Sequence, residues 1–163
     1  MKEVLVHYAT YNQWANKRMT DTIVNLSNEQ LHKDINSSFR SVYKTLVHLW
    51  DAEYLWWQRL NLHQNVEWPG KSFNGSLMEL TNNLLLQSKQ WRDWTESNSG
   101  EELSKHFIYK NTRKEEFSQP VSEALIHLFN HQTYHRGQII TLLRQVGMKE
   151  LPATSFIEYT RKK

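Results

Sequence analysis

The sequence contains no cysteine and has only 5 glycines and 3 prolines in 163 residues. Without cysteine the chain can form neither a disulfide scaffold nor a thiolate metal site, and it has no cysteine nucleophile. The scarcity of glycine and proline leaves few turn signals, which favours a few long elements over many short strands. We therefore expect an all-α protein, and the lack of cysteine fits a reducing compartment.

Long apolar runs and clusters of like charge are also scarce. No run approaches the length of a membrane span, and residues 1–8 turn polar before a secretory segment can develop. We therefore expect a cytoplasmic protein without a membrane partner. The net charge is +3, but the basic residues are scattered apart from Arg161-Lys162-Lys163, which is typical of a solvated tail. This distribution does not favour a nucleic-acid partner.

Apolar residues recur at helical spacing in four long stretches, over about residues 4–26, 41–60, 76–97 and 120–146. In the first stretch Asn12, Asn16, Lys17 and Asp21 fall between the apolar positions. With 39% hydrophobic residues, including 7 Trp, 7 Tyr and 6 Phe, residues 1–163 are enough for a single domain with a buried core. Four amphipathic helices pack best as a four-helix bundle.

Local signals mark the ends of these helices. Ser27 with Gln30 and Ser76 with Glu79 resemble capping boxes, Pro120 suits the first position of the last helix, and Gly147 suits the position just past its end. Between the third and fourth helices, residues 103–118 contain short alternating runs, which predict a short hairpin or an irregular segment. We expect residues 148–163 to be extended, with residues 154–159 folding back on the domain.

Three histidines, His127, His131 and His135, follow one another at intervals of four on the last helix. Residues four apart share a helix face, so a pair can present two imidazoles to one ion. All three cannot bind one ion from a straight helix, because the first and last are separated by about 12 Å of rise. His48 is the best third ligand, since it lies mid-helix among apolar residues.

A site of three imidazoles would suit zinc, nickel, iron or copper, and it would leave a coordination position for water or a thiolate. The alternative is that these histidines are hydrogen-bonded core residues. In that interpretation Arg136 is a solvated or salt-bridged residue and Gly137 is a close helix contact. Asp51 and Glu53, near His48, are either hydrogen-bond acceptors for the ligands or surface charges.

Three stretches resemble the DinB family, within the DinB/YfiT-like superfamily of helix bundles: HYATYNQWANKRM at 7–19, TLVHLWDAE at 45–53 and NHQTYHRGQ at 130–138. The resemblance covers nearly the whole chain. It implies that His48, His131 and His135 are the metal ligands, and that His127 is not. Arg40 stands where the family often has glycine, and Ser155 stands where aspartate is common.

The superfamily is similar to thiol-dependent enzymes, including mycothiol-dependent maleylpyruvate isomerase and bacillithiol S-transferases. The resemblance therefore implies a divalent metal, zinc or nickel, that activates water or a low-molecular-weight thiol such as bacillithiol for hydrolysis or S-transfer. Asp51, Glu53 and Tyr134 are the candidate general bases. The alternative is a non-catalytic metal-binding protein of the stress response. Damage inducibility, which named the family, is a regulatory association and identifies no substrate.

Helical bundles of this kind are commonly homodimers. Trp56, Trp68 and Tyr159 are aromatic residues that we expect to be exposed, and they would supply a dimer face.

Overall fold

The computed structural model describes residues 1–63 and 65–161. Lys162 and Lys163 of the basic terminal cluster lie outside the described residues. Along the chain the elements are α1 (Lys2–Ile23), α2 (Asn28–His32), α3 (Val42–Leu60), a 3-10 turn (Pro69–Lys71), α4 (Leu77–Ser97), α5 (Gly100–Ser104), β1 (His106–Lys110), β2 (Glu116–Pro120), α6 (Val121–Gln145) and α7 (Phe156–Arg161). None of the described helices is both long and apolar enough to cross a membrane.

The four long helices form the predicted bundle. Helices α1 and α3 each pack against both α4 and α6, so the four helices close a ring around the core. Strands β1 and β2 pair in antiparallel register, from His106 opposite Pro120 to Lys110 opposite Glu116, immediately before α6. The hairpin interpretation of this segment is therefore confirmed.

The helix ends follow the chemistry of their caps. Ser27 and Ser76 form complete capping boxes, and Ser41 accepts a hydrogen bond from the backbone N–H of Lys44 at the start of α3. Gly147 follows the end of α6 with φ at +92°, a conformation that favours glycine. Pro120 is the residue before α6 and not its first residue, because it is still paired as the last residue of β2.

Helix α4 ends at Ser97, and the Ser99 side chain then accepts a hydrogen bond from the backbone N–H of Glu102 at the start of α5. One expectation about the tail was wrong. The tail is not wholly extended, because residues 156–161 form α7. The tail does fold back as predicted, since the Tyr11 hydroxyl donates to the carbonyl of Thr154 at 2.7 Å and the Phe156 ring packs on Tyr11.

The interior contains two apolar clusters. One cluster joins the C-terminal half of α1 to the other long helices, and its buried members are Met19, Ile23, Leu26, Leu31, Val42, Leu46, Leu49, Leu80, Leu84, Ile139, Leu142, Leu143 and Val146. The other cluster joins the N-terminal half of α1 to the opposite ends of those helices, and its buried members are Leu5, Ala9, Trp91, Leu103, Phe107, Val121, Ala124, Leu125, Leu128 and Phe129.

A set of buried polar side chains from all four long helices separates the two clusters, and we call it the polar layer: Asn12, Asn16, Glu53, Ser88 and Arg136. Arg136 donates to the amide oxygens of Asn12 and Asn16 at 2.6 and 2.9 Å. Each asparagine in turn donates to Oε1 of Glu53, and the Ser88 hydroxyl lies 2.9 Å from Oε2 of Glu53. Because every member is hydrogen-bonded, these polar groups can be buried.

The polar layer corrects two expectations and adds one finding. Asn12 and Asn16, which fall between the apolar positions of α1 in the sequence, are both fully buried. Arg136 is neither solvated nor salt-bridged, because amide oxygens accept its hydrogen bonds. Glu53 is neither a surface charge nor an acceptor for a histidine, because its hydrogen bonds go to residues of the polar layer.

Candidate metal centre

His48 on α3 and His131 and His135 on α6 meet where these two neighbouring helices pack together. The Nε2 atom of His48 lies 3.1 Å from that of His131 and 3.2 Å from that of His135, and the last two are 3.1 Å apart. These are the three histidines that the resemblance to the DinB family implies as metal ligands. Among the described residues, these three histidines form the group of side chains whose ligand atoms lie close enough together to hold a metal ion.

The triangle of Nε2 atoms has the dimensions of a set of metal ligands. Two nitrogens that bind one tetrahedral zinc ion at about 2.1 Å lie about 3.4 Å apart. The measured separations of 3.1 and 3.2 Å are close to this value. Without an ion, the three Nε2 atoms cannot all be hydrogen-bonded to one another. A hydrogen on one Nε2 atom can be donated to only one of the other two, and the remaining close contacts then place lone pairs against each other. The residues present therefore fit a divalent transition metal.

A hydrogen bond outside the triangle fixes the tautomer of His135. Its Nδ1 atom lies 2.8 Å from Oε1 of Gln138, and the amide group of Gln138 donates through Nε2 to the hydroxyl of Ser38. Because the amide oxygen can only accept, Nδ1 of His135 carries the hydrogen and Nε2 has a free lone pair. In contrast, Nδ1 of His131 is buried and has no hydrogen-bond partner among the described residues.

Electrostatics keep the three imidazoles neutral. Burial, reinforced by the neighbouring histidines, lowers the pKa of His48 to about 4 and that of His131 to about 3. Burial also lowers the pKa of His135, against the opposing effect of its hydrogen bond to Gln138. Since the neutral ring is the form that binds metals, all three rings are ready to bind an ion at neutral pH.

The segment before α3 covers one side of the triangle. The Phe39 ring stacks on His48 with 4.0 Å between centroids and meets the edge of His135 at 5.4 Å. Arg40, the next residue, has φ at +65°, a conformation that favours glycine, which is the residue expected here from the resemblance. An exposed ion pair with Asp34 holds Arg40 in place. Ser155, the other position at which the sequence differs from the family pattern, is exposed and directly precedes α7.

The other candidate residues occupy different positions. His127 is exposed, and its ring centroid lies 6.0 Å from that of His131. Asp51 is buried and accepts a hydrogen bond from the backbone N–H of Gly70, so it anchors the loop after α3. Tyr134 is 63% exposed, and its ring edge contacts His135. Of the three candidate general bases, Tyr134 is the one beside the histidines.

Two residues of the site were missed in the sequence, and one glycine was misinterpreted. Gln138 follows His135 by three residues on a helix, and this spacing is a signal that could have indicated their contact. Phe39 lies in a segment without periodicity, so no such signal exists for it. Gly137 is not a close helix contact, because a Cβ atom there would meet no atom within 4 Å.

The fold and the three convergent imidazoles define a class of protein: a four-helix bundle with a candidate metal site between two neighbouring helices. The chain belongs to the DinB family, whose sequence model matches residues 1–162. It is 29% identical to Protein DinB of Bacillus subtilis (strain 168), over 87% of this chain and 86% of that protein.

The fold is also found in a solved structure. The crystal structure of a DinB-like protein from Bacillus cereus superposes with a TM-score of 0.73 and covers 93% of this chain and 96% of that chain. The two sequences are 20% identical, so this likeness concerns the fold.

Proposed function

We propose that the protein is a metal-dependent enzyme in which His48, His131 and His135 hold a divalent zinc or nickel ion. The observation that carries the proposal is the convergence of the three Nε2 atoms to within 3.2 Å of one another. A donor set made only of imidazoles suits zinc and nickel, whereas calcium and magnesium require oxygen ligands. Three protein ligands leave room for a further ligand, as in catalytic sites.

The reacting partner in this proposal is water or a low-molecular-weight thiol such as bacillithiol, for hydrolysis or S-transfer. When bound, the metal acts as a Lewis acid that lowers the pKa of the nucleophile. The protein keeps its imidazoles neutral, orients His135 through Gln138 and shields His48 with Phe39. These contacts preorganise the site before the substrate arrives.

No carboxylate acts as the base beside the histidines. Asp51 accepts a hydrogen bond from Gly70 and Glu53 is held in the polar layer, which leaves Tyr134 as the candidate base at the site. A metal-bound water ionises near pH 7 and a metal-bound thiol loses its proton outright, so water and a thiol both stay in the proposal.

The proposal also includes a cytoplasmic location and a homodimer. The lack of cysteine supports a reducing compartment. Trp56, Trp68 and Tyr159, which we expected to be exposed, are each half-buried in the chain. Met78 and Leu86 on α4 are 58% and 64% exposed and are better candidates for a dimer contact. The oligomeric state can be measured by sedimentation.

A panel of thiols with an electrophilic acceptor tests the enzymatic proposal. The zinc-loaded and nickel-loaded proteins are assayed for conjugation of bacillithiol, cysteine or 2-mercaptoethanol to monochlorobimane, alongside His135→Ala and the control His32→Ala, at an exposed histidine of α2. We expect turnover that chelation and His135→Ala abolish and that His32→Ala retains. Metal binding without turnover for any thiol, and without hydrolysis of ester or amide substrates, would favour the non-catalytic alternative.

A further inference from the structure

Arg59 is a largely buried cation without a counterion among the described residues. Its residue is 7% exposed, and its Nε atom is buried without a hydrogen-bond partner. Across residues 1–63 and 65–161, no carboxylate lies within ion-pair distance of its guanidinium and no oxygen accepts a hydrogen bond from it. Nε of Arg136, the other buried arginine, also lacks a partner among the described residues, but the terminal nitrogens of Arg136 are hydrogen-bonded to three side chains.

Ring contacts compensate Arg59 only in part. Its guanidinium carbon lies 4.7 Å from the centroid of Trp56 and 5.3 Å from that of Tyr109. Such cation–π contacts are favourable, but they satisfy none of the five N–H groups of an arginine. A buried N–H group without an acceptor is costly, and the Nε–H of Arg59 is such a group among the described residues. The missing partner is therefore best supplied by a ligand.

The position of Arg59 relates it to the candidate metal centre. It lies three helical turns after His48 on the same face of α3, about 16 Å further along the helix axis. Aromatic rings lie between them along the helices: the Trp56 ring lies 5.2 Å from His127, and the His127 ring lies 6.0 Å from His131. A continuous line of rings thus runs from the three histidines to the guanidinium along the contact between α3 and α6.

We infer that Arg59 binds a carboxylate of an extended low-molecular-weight thiol whose sulfur reaches the three-histidine site. A guanidinium matches a carboxylate with two parallel hydrogen bonds, and it does so most strongly where water is excluded. The rings of Trp56 and His127 would line the body of the ligand between its two ends. The position of the sulfur rests on the proposed function, whereas the binding of an anion by Arg59 does not.

The test compares matched thiols on the nickel-loaded protein. Calorimetric titrations use glutathione, which carries carboxylates, its diethyl ester, which does not, and 2-mercaptoethanol as a short neutral thiol. We expect the affinity for glutathione to be at least about tenfold higher than the affinity for its ester, because a charge-assisted hydrogen bond contributes this much to binding. Arg59→Gln should abolish this preference and leave 2-mercaptoethanol binding unchanged, and Arg59→Lys should keep part of it.

Arg113→Gln removes an exposed arginine from the hairpin turn and is the matched control, which should behave as the unmodified protein. Because Arg59 makes no hydrogen bond within the described chain, Arg59→Gln should fold, and circular dichroism checks this. Equal affinity for glutathione and its ester in the unmodified protein would overturn the inference. A preference that survives in Arg59→Gln would overturn it as well.

A second measurement separates this inference from the proposed function. If no thiol binds the metal-loaded protein, the proposed function fails, and the anion site is then tested alone with succinate on metal-free protein. The Arg59 Nε–H NMR signal, assigned by its loss in Arg59→Lys, should shift and reach saturation. A signal that succinate does not shift would then contradict anion binding by Arg59.

Discussion

Asn12 donates a hydrogen bond from its side-chain amide to Oε1 of Glu53 at 2.8 Å, and both side chains are fully buried. The same amide accepts a hydrogen bond from Arg136 at 2.6 Å. Asn16, one turn along α1, repeats both contacts. The two asparagines therefore bridge a buried cation and a buried carboxyl group, and they tie α1 to α3 and α6 beside the candidate metal centre.

Replacing Arg136 should destabilise the protein strongly. Arg136→Met at pH 8 leaves the Glu53 carboxylate without its cation and the oxygens of Asn12 and Asn16 without their donor. We expect a loss of about 3–5 kcal/mol in the free energy of unfolding, measured with urea. Arg144→Met, the same change at an exposed position of the same helix, should stay within about 0.5 kcal/mol. Similar losses in the two variants would show that the polar layer contributes little.

The pH dependence of stability should reveal Glu53. Burial raises the pKa of Glu53 from 4.5 to about 7, against the effect of its hydrogen bonds to Asn12, Ser88 and Asn16 and the charge of Arg136. The folded state thus takes up a proton at a higher pH than the unfolded state does. The resulting stabilisation is complete below pH 4.5 and is lost as the pH rises to about 7.

Glu53→Gln removes this dependence, because the amide keeps the shape of the protonated side chain without ionising. The unfolding free energy of the variant minus that of the unmodified protein should therefore rise by about 2–3 kcal/mol between pH 5 and pH 8. Urea titrations of both proteins at several pH values give this difference directly. A difference that stays constant across the range would contradict the raised pKa of Glu53.

Two glycines should respond to alanine in opposite directions. At Gly70 a Cβ atom would lie 2.3 Å from Cγ1 of Val47 and 2.7 Å from Oδ2 of Asp51, so Gly70→Ala should cost about 1–3 kcal/mol. At Gly137, exposed and with no atom within 4 Å of an added Cβ, Gly137→Ala should gain about 0.5–1 kcal/mol from helix propensity. Thermal unfolding measures both changes, and shifts of the same sign would contradict the packing described.

The sequence predicted those features of the fold that local chemistry determines. Ser41 and the capping boxes at Ser27 and Ser76 mark the helix starts through side-chain bonds to nearby backbone, so they can be recognised without knowledge of the packing. Helices α5 and α7 have five and six residues, too few for an apolar period to appear. The hairpin before α6 was predicted only as one of two alternatives, because its runs are equally short.

The polar layer and the site depend on packing between helices, which the sequence does not state. The burial of Asn12 and Asn16 depends on hydrogen bonds to Glu53 and Arg136, which lie on two other helices. Helical spacing likewise allowed His127 to share an ion with His131, and the resemblance to the DinB family selected the other pair. The structure brings the ligand atoms of His48, His131 and His135 together.

The metal content of the purified protein tests the central claim most directly. The unmodified protein and the variants His48→Ala, His131→Ala, His135→Ala and His127→Ala are loaded with zinc or nickel, desalted and analysed by mass spectrometry of the elements. The account predicts about one ion per chain in the unmodified protein and in His127→Ala, and loss of the ion in the other three variants. Metal content that does not depend on His48, His131 and His135 would contradict it.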